Sequence, residues 1–159
     1  MARLQQSGIE IDLPPGWDGR IFTRSSAPGP QSAPQGTTLE HSYPVLHAAN
    51  FAVPTDIGDF GGGAVELMGN GQVFVALIDF GPEAAGTPLF SWLEVPCALD
   101  TDQFDPATLQ RTLPGQSGTQ QFFTAAGRGF CLYVVLGAHL FRLRLVPLVN
   151  QALRSLRIS

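Results

Sequence analysis

Residues 9–13 alternate strictly, with Ile9, Ile11 and Leu13 on one face and Glu10 and Asp12 on the other. A period of two marks a half-buried strand. The Pro-Pro-Gly-Trp-Asp-Gly run that follows predicts a turn, because proline fixes φ and glycine opens conformations other residues avoid. Residues 20–24 then read as the return strand of an opening hairpin. Residues 43–53 resume strand character. Residues 73–78 are apolar on both faces, as in a central strand covered on each side. The Met-Gly-Asn-Gly-Gln stretch before them predicts a hairpin turn joining residues 64–68 to residues 73–80. A second hairpin is expected from residues 120–125 and 130–136. Asp105 as N-cap and Pro106 at the first helical position predict a short helix that stops at Pro114-Gly115. Val146, Val149, Leu153 and Leu156 recur at helical spacing, leaving Arg154 and Arg157 outside the stripe. Pro147 fits only a first turn, so this C-terminal amphipathic helix should begin near Leu145 or Val146. Residues 140–145 alternate and fit either a short strand or an irregular lead-in.

These elements give an α+β chain, and its 159 residues suit a single domain over residues 1–159 with a sizeable core. One segment stands apart. Residues 25–41 are rich in Pro, Ser, Gly and Gln and read as a mobile surface loop. No apolar run is long enough to cross a bilayer and the first residues lack a signal-peptide pattern, so a soluble cytoplasmic protein is the expectation. Cys97 and Cys131 lie in apolar surroundings and read as reduced, buried thiols rather than a disulfide framework. Their pairing stays open.

Charge adds one feature. All nine basic residues are arginine; all thirteen acids lie at or before Asp105, and six arginines follow with no acid among them. Arg142, Arg144, Arg154 and Arg157 would have to carry any nucleic-acid contact. A pI near 5.2 argues against one, since phosphate binding needs a concentrated positive footprint.

Catalytic and metal chemistry find little support. The glycine-rich residues 56–81 hold neither a G-x-G-x-x-G nor a Gly-Lys-Ser/Thr motif, and their glycines are read as structural. Asp100, Asp102 and Asp105 resemble a calcium loop, but its sixth and twelfth positions hold Asp105 and Arg111 instead of Gly and Glu. His41, His47 and His139 lack metal-ligand spacing, and no nucleophile motif occurs. The expectation is no enzyme, no cofactor and no metal. Trp17 with Arg20, and Phe90 with Trp92, are the candidate partner-binding residues, because aromatic and arginine side chains dominate many interfaces. Against this stands a core role for Trp17 beneath its turn and for the Phe90–Trp92 pair.

The Leu13-Pro14-Pro15-Gly16-Trp17 opening and the Val149–Leu156 ending, "VNQALRSL", together resemble the PsbP-like superfamily. Short uncharacterised actinobacterial proteins show a similar whole. The resemblance implies an antiparallel sheet flanked by helices, an α/β/α sandwich, and no reaction, since characterised members are mainly accessory or binding proteins. The expected function is therefore non-catalytic protein binding, as an accessory subunit of a larger bacterial assembly. A homo-oligomer stays open. The alternative is a small-ligand-binding or enzymatic domain with a pocket between sheet and helix.

Overall fold

The computed structural model describes residues 2–23 and 43–159. Its regular elements are β1 (Ala2–Gln6), β2 (Ile9–Leu13), β3 (Asp18–Thr23), β4 (Pro44–Ala49), β5 (Val73–Gly81), β6 (Ser117–Ala125), β7 (Arg128–Leu136), α1 (Arg142–Leu153) and β8 (Arg157–Ile158). The strands form two antiparallel sheets, one ordered β1-β2-β8 and one ordered β3-β4-β5-β7-β6. The fold is α+β. No helix among the described residues is long and apolar enough to cross a membrane. The segment expected to be a mobile loop, residues 25–41, and His41 with it, lie outside the described residues.

Both faces of the large sheet are covered, by different means. On the inner face Val75, Leu77, Phe130, Leu132 and Val134 meet Ile9, Ile11 and Leu13 of β2 and Leu145, Val149 and Leu153 of α1. On the outer face Phe74, Ala76, Ile78, Tyr133 and Val135 are covered by Phe51, Ile57, Phe60, Val65, Leu109 and Leu113. Those residues come from irregular segments and short 3-10 turns, so α1 flanks one face and loops flank the other.

Several expectations change. The Pro-Pro-Gly turn forms, with the Trp17 N–H donating to the Pro14 carbonyl at 3.1 Å. Its two strands, however, do not make a hairpin: β2 pairs with β1 and β8, whereas β3 pairs with β4. Two consecutive prolines cannot donate to a ladder, so the chain leaves one sheet there and enters the other. Residues 64–68 are not a strand; Val65–Leu67 is a 3-10 turn, held by N–H bonds from Ala64 and Val65 to the Gly61 carbonyl. Asp105 accepts from the Ala107 N–H as expected, but the helix after it is only the 3-10 turn Pro106–Thr108. Leu109 swings out of that turn and fills the place a side chain at Gly118 would occupy.

The C-terminal helix starts at Arg142, earlier than Pro147 suggested, and the 3-10 turn His139–Phe141 leads into it. Pro147 removes one N–H bond, and Leu143, whose carbonyl would have received it, sits at an exposed position. Leu156 is buried beyond the helix end. The first strand, β1, carries only Leu4 as a large apolar residue and was invisible to periodicity. It is held to β2 by Arg3, which contacts Asp12 at 2.7 Å and Glu10 at 3.2 Å.

The ending motif has a structural task. Asn150 clamps the backbone of Leu99 with both ends of its amide, accepting from the N–H at 2.8 Å and donating to the carbonyl at 2.9 Å. Ser155 does the same to Asp12, accepting its N–H at 2.9 Å and donating to its carbonyl at 3.1 Å. Both residues thus satisfy backbone groups far away in the chain, tying α1 to the loop at Leu99 and the turn after α1 to β2.

Candidate functional site

Phe90 and Trp92, neighbours in sequence, part company in space. The 3-10 turn Pro88–Phe90 lies along β6 near its end. Thr124 of β6 pins this knuckle: its hydroxyl donates to the Phe90 carbonyl at 2.6 Å and accepts from the Gly86 N–H at 3.0 Å, and its N–H donates to the Trp92 carbonyl at 2.8 Å. Phe90 points inward, with its ring edge-on to Phe122 at 5.5 Å and close over Gly129, where a Cβ would meet it at 3.0 Å. Trp92 points outward and is 60% exposed, between Leu89 at 60% and Leu93 at 72%. Glu94 adjoins them. A rigid backbone therefore presents three large apolar side chains to solvent.

Trp17 and Arg20 are placed differently. Trp17 is half-buried against the inner core. Arg20 lies over the Phe22 ring at 4.4 Å and donates to the Thr55 carbonyl at 2.7 Å, so it braces a loop on the outer face. The two do not converge on one surface: Trp17 joins the inner core, Arg20 the outer face.

Beside Arg20, His47 is fully buried between the rings of Phe22 and Phe74, at 5.1 and 5.2 Å. Its Nε2 lies 2.8 Å from the Asp59 carbonyl, which can only accept, so the proton sits on Nε2. Nδ1 has no partner. Burial pushes the His47 pKa below 6.5; the Asp59 carbonyl opposes this and the Arg20 charge adds to it. The unfolded chain takes up a proton as pH drops below 6.5 while the folded chain resists, so stability should be full above that pH and fall below it. Urea unfolding at neutral pH and near pH 5 checks this (the lower value chosen to stay above most carboxylate titrations). His47→Gln, which keeps a donor for Asp59, should flatten the dependence.

A cavity of about 300 Å³ opens on the outer face, roofed by residues 58–66 and 109–116 over Tyr133 and Val135. Three contacts set its shape. Gln116 donates to the Val65 carbonyl at 2.8 Å, the Tyr133 hydroxyl accepts the Gln110 N–H at 2.8 Å, and Arg111 reaches Glu66 at 3.6 Å. A bond from the Gly63 N–H holds the Glu66 carboxyl below its usual range, and burial raises the Tyr133 hydroxyl above its own. Gln116 Oε1 is buried without a partner. Sequence reading missed this cavity because its roof joins two loops far apart in the chain. A second cavity, about 380 Å³, lies between the Pro14-Pro15 turn and the end of α1 and is lined by Asp12, Arg154 and Arg157.

No protein-family model, no curated protein and no solved structure matches this chain. The functional reading therefore rests on its own side chains. Among the described residues no three His, Cys, Asp or Glu side chains gather as a metal site. Both cysteines are free. Cys131 is buried, and burial pushes its thiol up to about 11, which keeps it protonated and unreactive. Cys97 is exposed, contrary to its apolar sequence context, because its segment runs along the surface beside Trp92 and Gln121.

Proposed function

We propose that this chain is a non-catalytic binding domain, an accessory subunit that docks a protein partner through the Trp92 knuckle. The observation that carries this is the outward set of Leu89, Trp92 and Leu93 on a backbone pinned by Thr124. Large exposed apolar groups on a fixed frame lose little conformational freedom on binding, and tryptophan is the side chain most enriched among interface hot spots. The motifs at the two ends of the chain add kinship with PsbP-like proteins to this reading, with α1 as a helical layer on one face of the sheet; a cytoplasmic location is part of the same proposal. A photo-crosslinking amino acid at position 92, introduced in host cells, tests it. A discrete protein adduct is expected, absent when the crosslinker replaces Arg154, which lines the separate cavity beside the Pro14-Pro15 turn. Absence of any protein adduct from position 92 would overturn the reading.

A second reading is favoured by the outer-face cavity alone. Its walls of Phe60, Val65, Leu109, Leu113 and Val135 suit a compact apolar ligand. Leu113→Trp, which fills that space, would then remove ligand binding and leave the crosslink from position 92 unchanged.

A further inference from the structure

Eight large apolar side chains among the described residues are exposed, and seven of them fall into two groups. One group is the knuckle: Leu89, Trp92 and Leu93, extended by Phe80, whose ring is 5.8 Å from that of Phe90. The other is Leu140, Phe141 and Leu143, where α1 begins; Leu140 is 86% and Leu143 78% exposed. Isolated exposed leucines need no explanation, but two compact groups do.

The groups carry opposite charge. Glu94 and Glu83 flank the knuckle, the latter accepting from the Tyr43 hydroxyl at 2.8 Å. Arg142 and Arg144 flank the second group, with Arg144 over the Phe141 ring at 5.3 Å and Arg142 bonded to the His139 carbonyl at 3.0 Å. Glu94, Arg142 and Arg144 have no salt-bridge partner among the described residues. This is where the division of acids and arginines along the sequence surfaces in three dimensions.

The groups also lie at opposite ends of β7. Gly129, near one end, sits under Phe90, whereas Gly137, just past the other, leads into the turn before α1. A strand of that length separates them by about 25 Å. One molecule cannot bring its two groups together.

We propose that the chain assembles head to tail with further copies of itself, the acidic apolar knuckle of one copy seating on the basic apolar start of α1 in the next. This rests on the partner-binding reading of Trp92 and names the partner. Pairing either group with its own kind would set like charges face to face, which disfavours a two-fold dimer and favours unlike contact. A contact between different surfaces grows into a ring or a filament. Each surface is small, so the association is weak and concentration-dependent.

Sedimentation of the full chain over about 10 μM to 1 mM tests it. Wild type should pass beyond dimer as concentration rises. Trp92→Ser/Leu93→Ser and Leu140→Ser/Leu143→Ser, each folded by circular dichroism, should each stay monomeric, because one surface is lost. Mixed in equal amounts, the two variants should form a dimer and stop. Glu94→Arg or Arg144→Glu alone should weaken growth by about tenfold, and the chain carrying both should regain it. A monomeric wild type, a variant that still dimerises with itself, or a mixture that gives no dimer would each overturn the proposal. If wild type is monomeric but position 92 crosslinks to a different protein, self-assembly fails and partner binding stands. A monomer with no protein crosslink overturns both.

Discussion

Arg128→Met should lower the unfolding free energy by about 3–5 kcal/mol, the cost of taking a charged partner away from a buried carboxylate. Asp79 has no exposure, and Arg128 Nη1 meets its Oδ2 at 2.9 Å. Alternation along β5 puts this carboxylate on the inner face with Val75 and Leu77, and at the bulge that follows it the Gly81 N–H donates to its other oxygen at 2.7 Å. Arg128 does more than neutralise it. Its guanidinium donates to the carbonyls of Ser7 and Ser159, at 3.2 and 3.1 Å, joining the small sheet to the large one. Adding Asp79→Asn to Arg128→Met should recover roughly half of the loss, because the amide keeps an acceptor for Gly81 and removes the buried charge. Chemical denaturation of the single and double variants measures both. A single-variant loss under about 1 kcal/mol would mean the pair contributes no more than a surface bridge.

Phe90→Ala should cost about 3–5 kcal/mol, while Trp92→Ser should change stability by no more than about 0.5 kcal/mol. Phe90 is 7% exposed and fills the space above Gly129 against Phe122 and Phe80. Trp92 contributes its backbone carbonyl to Thr124, and a substitution at the side chain leaves that bond intact. The reverse ranking should hold for partner binding, where Trp92 carries the exposed surface. Thermal unfolding of the two variants separates them, and equal losses would place Trp92 in the core after all.

This pair shows where sequence reading stops. "LFSWLEV" offers two aromatics in the same local context, and only the position of β6 beneath them decides which one is buried. Residues with a strong period were legible: β2, the two-sided β5, and the β6–β7 hairpin, closed by Ala126 and Gly127 at positive φ. Elements made by long-range pairing were not. β1 exists because β2 offers it an edge, and β2 and β3 part into two sheets although only four residues separate them. Residues 64–68 have the composition of a strand, yet Gly61 and Gly63 at positive φ set them into a 3-10 turn. The start of α1 lies before Pro147 because the carbonyl this proline leaves without a donor belongs to Leu143 at an exposed position, where water can serve it. The outer cavity was beyond reach, since the Gln116–Val65 bond that roofs it spans 51 residues.

The pairing of β2 with β8 also sets a clock on the molecule. Ile9 is opposite Ile158 in the ladder, so the first-made apolar strand and its last neighbour lie almost the whole chain apart. At ordinary rates of synthesis, roughly 8 to 30 seconds pass between the making of one and the other. For most of that interval β2 has β1 along one edge and no β8 along the other, and α1 and Leu156, made in its last moments, do not yet cover Ile9, Ile11 and Leu13. A ribosome that pauses late on this message would therefore hold out an unfinished sheet with its apolar face bare, the state in which a nascent chain most needs a chaperone.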